Sequence, residues 1–149
     1  MQRKRFALAH LAAGLALGAL LAAHPARAHH SFAAEFDASK PLSLRGVVTK
    51  VELINPHSWI TLDVTDAKGQ TVSWMVEGGS PNVLFKSGVT KASVPVGSEL
   101  VVDGYQARDH TLLRANGRNV TFPDGRKLFL GSSGTGAPRD GADPAEPGK

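Results

Sequence analysis

From Leu42 to Leu130 the apolar residues recur at every second position in short runs, and each run stops at a turn signal. This cadence specifies strands. In LSLRGVVTKVELI, Leu42 and Leu44 share one face, and Val47, Thr49, Val51 and Leu53 share the next, so the phase slips at Gly46. A glycine at a phase slip predicts a bulge or bend inside one long strand. Asn55-Pro56 ends it. Ser58, Ile60, Leu62 and Val64 then alternate with His57, Trp59, Thr61 and Asp63. Asp66-Ala67-Lys68-Gly69 reads as a hairpin turn into a third strand with Val72, Trp74 and Val76 on one face.

Gly78-Gly79-Ser80-Pro81 stops that strand and opens a short helix, with Ser80 at the N-cap and Pro81 at the first helical position. Val83, Leu84 and Phe85 give the helix its apolar side, and Gly88 closes it. Strands follow around Glu99 to Ala107 and Leu112 to Phe122, with a last short one at Arg126 to Leu130. The expectation is an all-β, OB-like small barrel of five to six strands, with a short helix between strands three and four. A small β-sandwich or an incomplete barrel is the alternative.

The ends of the chain read differently. Residues 1–28 contain a basic Arg3-Lys4-Arg5, an Ala- and Leu-rich run, and Ala26-Arg27-Ala28, which suits signal peptidase. They are read as a signal peptide, so the mature protein is expected in the periplasm with no stable membrane anchor after cleavage. Residues 29–40 are read as an N-terminal leader, 41–131 as the barrel domain, and 132–149, which hold no large apolar residue, as a disordered tail.

Cleavage also changes the charge. The full chain has 17 Lys+Arg and 13 Asp+Glu, and four of the basic residues but no acidic one lie in residues 1–28. The mature chain is therefore formally neutral, which argues against a nucleic-acid partner. The absence of cysteine removes thiol chemistry, thiolate ligation and disulfides, so stability must come from a packed core or a partner.

His29-His30-Ser31-Phe32 with Phe36-Asp37, Asn55-Pro56-His57-Ser58-Trp59, and Glu77-Gly78-Gly79-Ser80-Pro81-Asn82 together resemble the DUF6152 family of small exported bacterial proteins. Gly97, Gly104-Tyr105 and Asn116-Gly117-Arg118 extend the resemblance to about residues 29–131. It implies export and architecture, and leaves the chemistry to be argued from side chains.

Cleavage after Ala28 would make His29 the first residue. Its α-amine and ring Nδ1 can then chelate one metal ion, and His57 is the best third nitrogen. His30 offers a competing mode through the amine, a deprotonated amide and its own ring. Nitrogen donors of this kind favour copper, with zinc or nickel behind it. His57 and Trp59 share the polar face of their strand, and Trp59 either walls a pocket or lies under Phe32 or Phe36. Trp74, alternating with Val72 and Val76, is expected in the core. Glu77 is placed to support a histidine or to cap the helix, while Asn55 holds its turn and Asn82 begins the helix. Asn55, Trp59, Glu77 and Asn82 are thus the candidate ligand-binding residues, and His29, His30 and His57 the candidate metal ligands. No catalytic residue is assigned, because Ser31, Ser58 and Ser80 lack a nucleophile's context.

Three functions follow. The first is a periplasmic binding protein for a metal ion or small ligand, with copper at the N-terminal histidines. The second is a structural module that docks to an envelope protein without metal. The third is a copper-dependent oxidative enzyme, disfavoured because about 90 residues of barrel leave little room for a substrate platform.

Overall fold

The computed structural model describes residues 32–131 and 137–138. Residues 1–28, read as a signal peptide, His29, His30 and most of the segment 132–149 lie outside the described residues. Helix α1 (Phe32–Glu35) leads directly into β1 (Phe36–Glu52), followed by β2 (Trp59–Thr65), β3 (Thr71–Glu77), α2 (Pro81–Lys86), β4 (Glu99–Ala107), β5 (Arg114–Thr121) and β6 (Lys127–Phe129).

The strands close into an OB-like barrel. β1 is long enough to serve two neighbours: its first part pairs antiparallel with β4 from Phe36 to Val47, and its second with β2 from Gly46 to Glu52. β2 pairs with β3, and β4 with β5, both antiparallel. A parallel seam then joins β3 to β5, with Met75 opposite Arg114, Val76 opposite Ala115 and Glu77 opposite Asn116. The ring therefore runs β1–β2–β3–β5–β4, and β6 adds outside it on β5. Closure removes the exposed edges that an open sheet of this size would present.

The bend in β1 lies downstream of Gly46. Val48 pairs with Leu62 and Lys50 with Thr61, so Thr49 is the extra residue of the bulge. Leu44 and Val48 are buried, Leu42, Val51 and Leu53 pack on the core, and Val47 is exposed. The inward set is therefore Leu42, Leu44, Gly46 and Val48, then Val51 and Leu53, which differs from the expected phase. Gly46 is needed for a different reason. A Cβ there would lie 2.6 Å from the Asp63 carbonyl oxygen on β2.

The core fills the barrel with Ile60, Leu62, Val76, Leu100, Val102 and Val120, all almost completely buried. Each such side chain contributes about 1.5–3 kcal/mol relative to exposure. Trp74 is half-buried and packs against this core, on the face its alternation predicts. α2 presses Leu84 against the same cluster, buries Pro81 and leaves Phe85 exposed. Ser80 occupies the N-cap position, but its side chain makes no capping bond. Its backbone carbonyl instead accepts the Val83 and Leu84 N–H groups. Gly88, at φ +81°, turns the chain out of the helix.

A second small cluster holds the start of the chain. Phe32 and Phe36 are buried with Ala107 beside Tyr105, and the Phe32 ring meets Tyr105 edge-on at 5.4 Å. The first strand thus reaches back into the segment read as a leader. The turn after β4 fastens it further: Arg108 Nε donates to the Ala33 carbonyl at 2.6 Å, and its backbone N–H to the Glu35 carbonyl at 2.9 Å. Ala137 packs against this cluster from the far end of the chain.

Candidate functional site

Three strands bring one polar cluster together on the outside of the barrel. Trp59 opens β2 and His57 lies two residues before it, and the two alternate with buried Ser58 and Ile60. Glu77 ends β3 and stands opposite Trp59 in the β2–β3 ladder. Arg114 begins β5 and enters through the parallel seam. Glu77 divides its two oxygens: Oε1 lies 3.4 Å from His57 Nδ1, and Oε2 lies 3.6 Å from Arg114 Nη2. The same Nη2 reaches Glu35 Oε2 at 3.4 Å, tying α1 to the cluster. The Arg114 guanidinium carbon lies 4.9 Å from the centre of the Trp59 ring, a cation–π distance.

Burial decides what these contacts are worth. The Glu77 side chain is only 10% exposed, while those of Arg114 and Glu35 are each 33% exposed. A carboxylate buried to that extent needs its partners, and Arg114 is the permanent cation beside it. The Glu35–Arg114 pair is more open to solvent and correspondingly weaker. Two buried atoms in this region, Ser58 Oγ and Arg114 Nε, have no hydrogen-bond partner among the described residues.

Among the described residues the cluster sets two carboxylates, Glu35 and Glu77, around one guanidinium, Arg114, with the His57 ring beside them. Glu77 engages the Nδ1 side of His57 and leaves Nε2 as the ring nitrogen available to a ligand. That is the arrangement in which a carboxylate orients a metal-binding imidazole. Among the described residues no group of three His, Asp or Glu side chains is placed to hold a metal ion. A metal held at His57 would therefore need donors from outside the described residues.

Of the residues picked out in the sequence, the structure brings His57, Trp59 and Glu77 together. Asn55 is exposed in the turn after β1, at a cis Asn55–Pro56 peptide, and Asn82 is exposed in the first turn of α2. Neither side chain makes a hydrogen bond among the described residues. His29 and His30 lie outside the described residues. Phe32 and Phe36 cover Tyr105 and Ala107, and the residue that stacks on Trp59 is Arg114.

Sequence reasoning missed Arg114 and Glu35. Arg114 has no motif around it, and only closure through the β3–β5 seam carries it to Glu77. Glu35 had a faint signal, since Phe32 and Phe36 at a spacing of four residues mark a helical turn with a buried side.

Exposed apolar residues border the cluster. Met75, Leu112 and Leu113 are each about two-fifths exposed, and the Met75 N–H donates to the Leu113 carbonyl at 2.9 Å. Trp59, Met75 and Leu113 thus adjoin on one outer surface.

Comparison with curated proteins finds no match. The model of one protein family, described as a family of unknown function, matches residues 18–115, a span that contains Glu35, His57, Trp59, Glu77 and Arg114. The chain belongs to this family, DUF6152.

Proposed function

We propose that the protein is an exported periplasmic binding protein that holds a copper ion between His57 and the N-terminal histidines His29 and His30, without catalytic turnover. The observation that carries this reading is the contact of His57 Nδ1 with buried Glu77, which leaves Nε2 as the ring nitrogen for a ligand. A second feature supports it. The Glu35–Arg114 pair fastens α1 beside the cluster, and His29 precedes Phe32 by three residues, a reach of at most about 10 Å. Processing after Ala28 supplies the amine and imidazole of His29 as a chelate, and His57 supplies the third nitrogen.

The test is a Cu(II) titration of protein that begins at His29. The expected result is one ion bound more tightly than about 1 μM, weakened by His57→Ala and abolished by an additional N-terminal Met. Equal binding by the extended protein would refute the chelate.

A second reading draws on the apolar border. Trp59, Met75, Leu112 and Leu113 form a surface suited to an envelope protein rather than to an ion. Its signature is capture of a defined envelope partner that is lost with Met75→Lys and indifferent to chelators.

A further inference from the structure

A cleft of about 410 Å³ opens where β1, β4 and β5 meet, and it shares no residue with the Trp59 cluster. Its floor is a patch of the β1–β4 ladder. Ser43 stands opposite Asp103 and Pro41 opposite Tyr105, and Arg118 of β5 completes the lining. Pro41 and Ser43 alternate with Leu42 and Leu44, which turn to the core, so both point outward. Successive positions on one face of such a ladder lie about 7 Å apart along the strand and about 5 Å apart across it. The patch therefore has the footprint of one six-membered sugar ring with its hydroxyl groups.

The side chains of the patch fix its chemistry. Among the described residues the Asp103 carboxylate, the Ser43 hydroxyl and the Tyr105 hydroxyl enter no hydrogen bond or ion pair, although they share one lining. A carboxylate accepts hydrogen bonds, and a hydroxyl both donates and accepts them. Three such groups side by side suit a ligand that carries several hydroxyls of its own. The rings of Pro41 and Tyr105 add apolar surface for the C–H face of that ligand. Tyr105 is held in place for this, because the Phe32 ring meets it edge-on at 5.4 Å.

Charge narrows the choice. Arg118 is 3% exposed, and its guanidinium carbon lies 5.0 Å from the centre of the Phe129 ring. It acts here as a fixed positive wall, a role that asks nothing of its N–H groups. A guanidinium keeps its charge, so this wall opposes a cationic ligand, while Asp103 in the same lining opposes an anionic one. A neutral ligand meets neither objection.

We propose that the cleft binds a neutral saccharide, with one ring lying over the Pro41–Tyr105 pair and its hydroxyl groups bonded to Asp103 and Ser43. This site goes beyond the copper reading and does not depend on it.

The experiment follows the backbone amide signals of Ser43, Asp103 and Tyr105 by NMR in the intact chain. The neutral probes are glucose, galactose, mannose and N-acetylglucosamine, and the charged counterparts are protonated glucosamine and glucuronate. At least one neutral sugar is expected to move all three signals saturably, with a Kd on the order of 1 mM. Both charged sugars are expected to bind roughly tenfold more weakly than the best neutral one. Asp103→Asn should weaken the neutral sugar roughly tenfold, and Ser43→Ala by a smaller factor, each with the rest of the amide spectrum retained. If no neutral sugar moves the three signals, the proposal is overturned. It is equally overturned if a charged sugar binds at least as tightly as the best neutral one, or if Asp103→Asn binds that sugar as tightly as the parent chain.

Discussion

The guanidinium carbon of Arg114 lies 4.9 Å from the Trp59 ring, although β5 and β2 are not hydrogen-bonded neighbours. β3 stands between them, and Glu77 at its end links Arg114 to His57. The contact exists because the barrel closes. It therefore reports on closure as well as on the site.

Removing the buried carboxylate should be costly. Glu77→Ala leaves Arg114 with a solvent-exposed partner and frees the His57 ring. The expected loss is about 2 kcal/mol, below the value for a fully buried pair because Arg114 is partly exposed. Glu35→Ala should cost less than about 1 kcal/mol. Urea unfolding of both variants checks the order; a larger effect at Glu35 would contradict it.

Arg114→Ala should uncover Trp59. The emission of that tryptophan is expected to shift to longer wavelength with the fold intact, and the cation–π contact removed is worth about 0.5–1 kcal/mol. Trp74→Phe in the same background leaves Trp59 as the sole emitter, so the shift can be assigned.

Gly46→Ala places a methyl group against a backbone oxygen, at 2.6 Å before any relaxation. Since β1 and β2 are hydrogen-bonded there, the strands must part to admit it. A loss of about 1–3 kcal/mol is expected. Val47→Ala at the neighbouring exposed position should change stability by less than about 0.5 kcal/mol. Thermal unfolding of the pair separates crowding from a general intolerance of substitution.

Asp37 predicts a pH response. Its carboxyl is held below its ordinary 3.8 by the Ser39 hydroxyl, then by the Ser39 backbone N–H, and more weakly by the charges of Arg108 and His110. The folded state thus binds this proton less readily than the unfolded chain. Its contribution to stability is complete above the ordinary value and disappears as pH falls through the lowered one. Ser39→Ala should raise the Asp37 titration midpoint, as read from its carboxyl carbon-13 shift, and should lower stability slightly at neutral pH, a difference that vanishes as pH falls below the lowered midpoint.

Much of the architecture was legible because its determinants are local. The alternation of Ile60, Leu62 and Val64, the Asp66–Gly69 turn, and Pro81 at the start of α2 each act over a few residues. The phase of β1 was not. Gly46 and Thr49 both interrupt the pattern, and only the partner strand shows that Gly46 answers to Asp63 while Thr49 is the bulge. At the candidate site, the outward alternation of His57 and Trp59 marked a polar face, and Glu77 stood out before its glycines. Arg114 is supplied by the β3–β5 seam, where three register pairs join residues remote in sequence. A lone charged residue at a strand start gives no hint of such a partner.

The parallel seam has a consequence for how the molecule would sense occupancy. Glu77 and Arg114 both lie in it, so the stitches that fasten the ring also form the floor of the outer cluster. A guest that tightens its grip on His57 through Glu77 would stiffen that fastening, and one that pulls Glu77 away from Arg114 would loosen it. Recognition at this surface would then be felt as a change in resistance to unfolding throughout the barrel, without any moving lid.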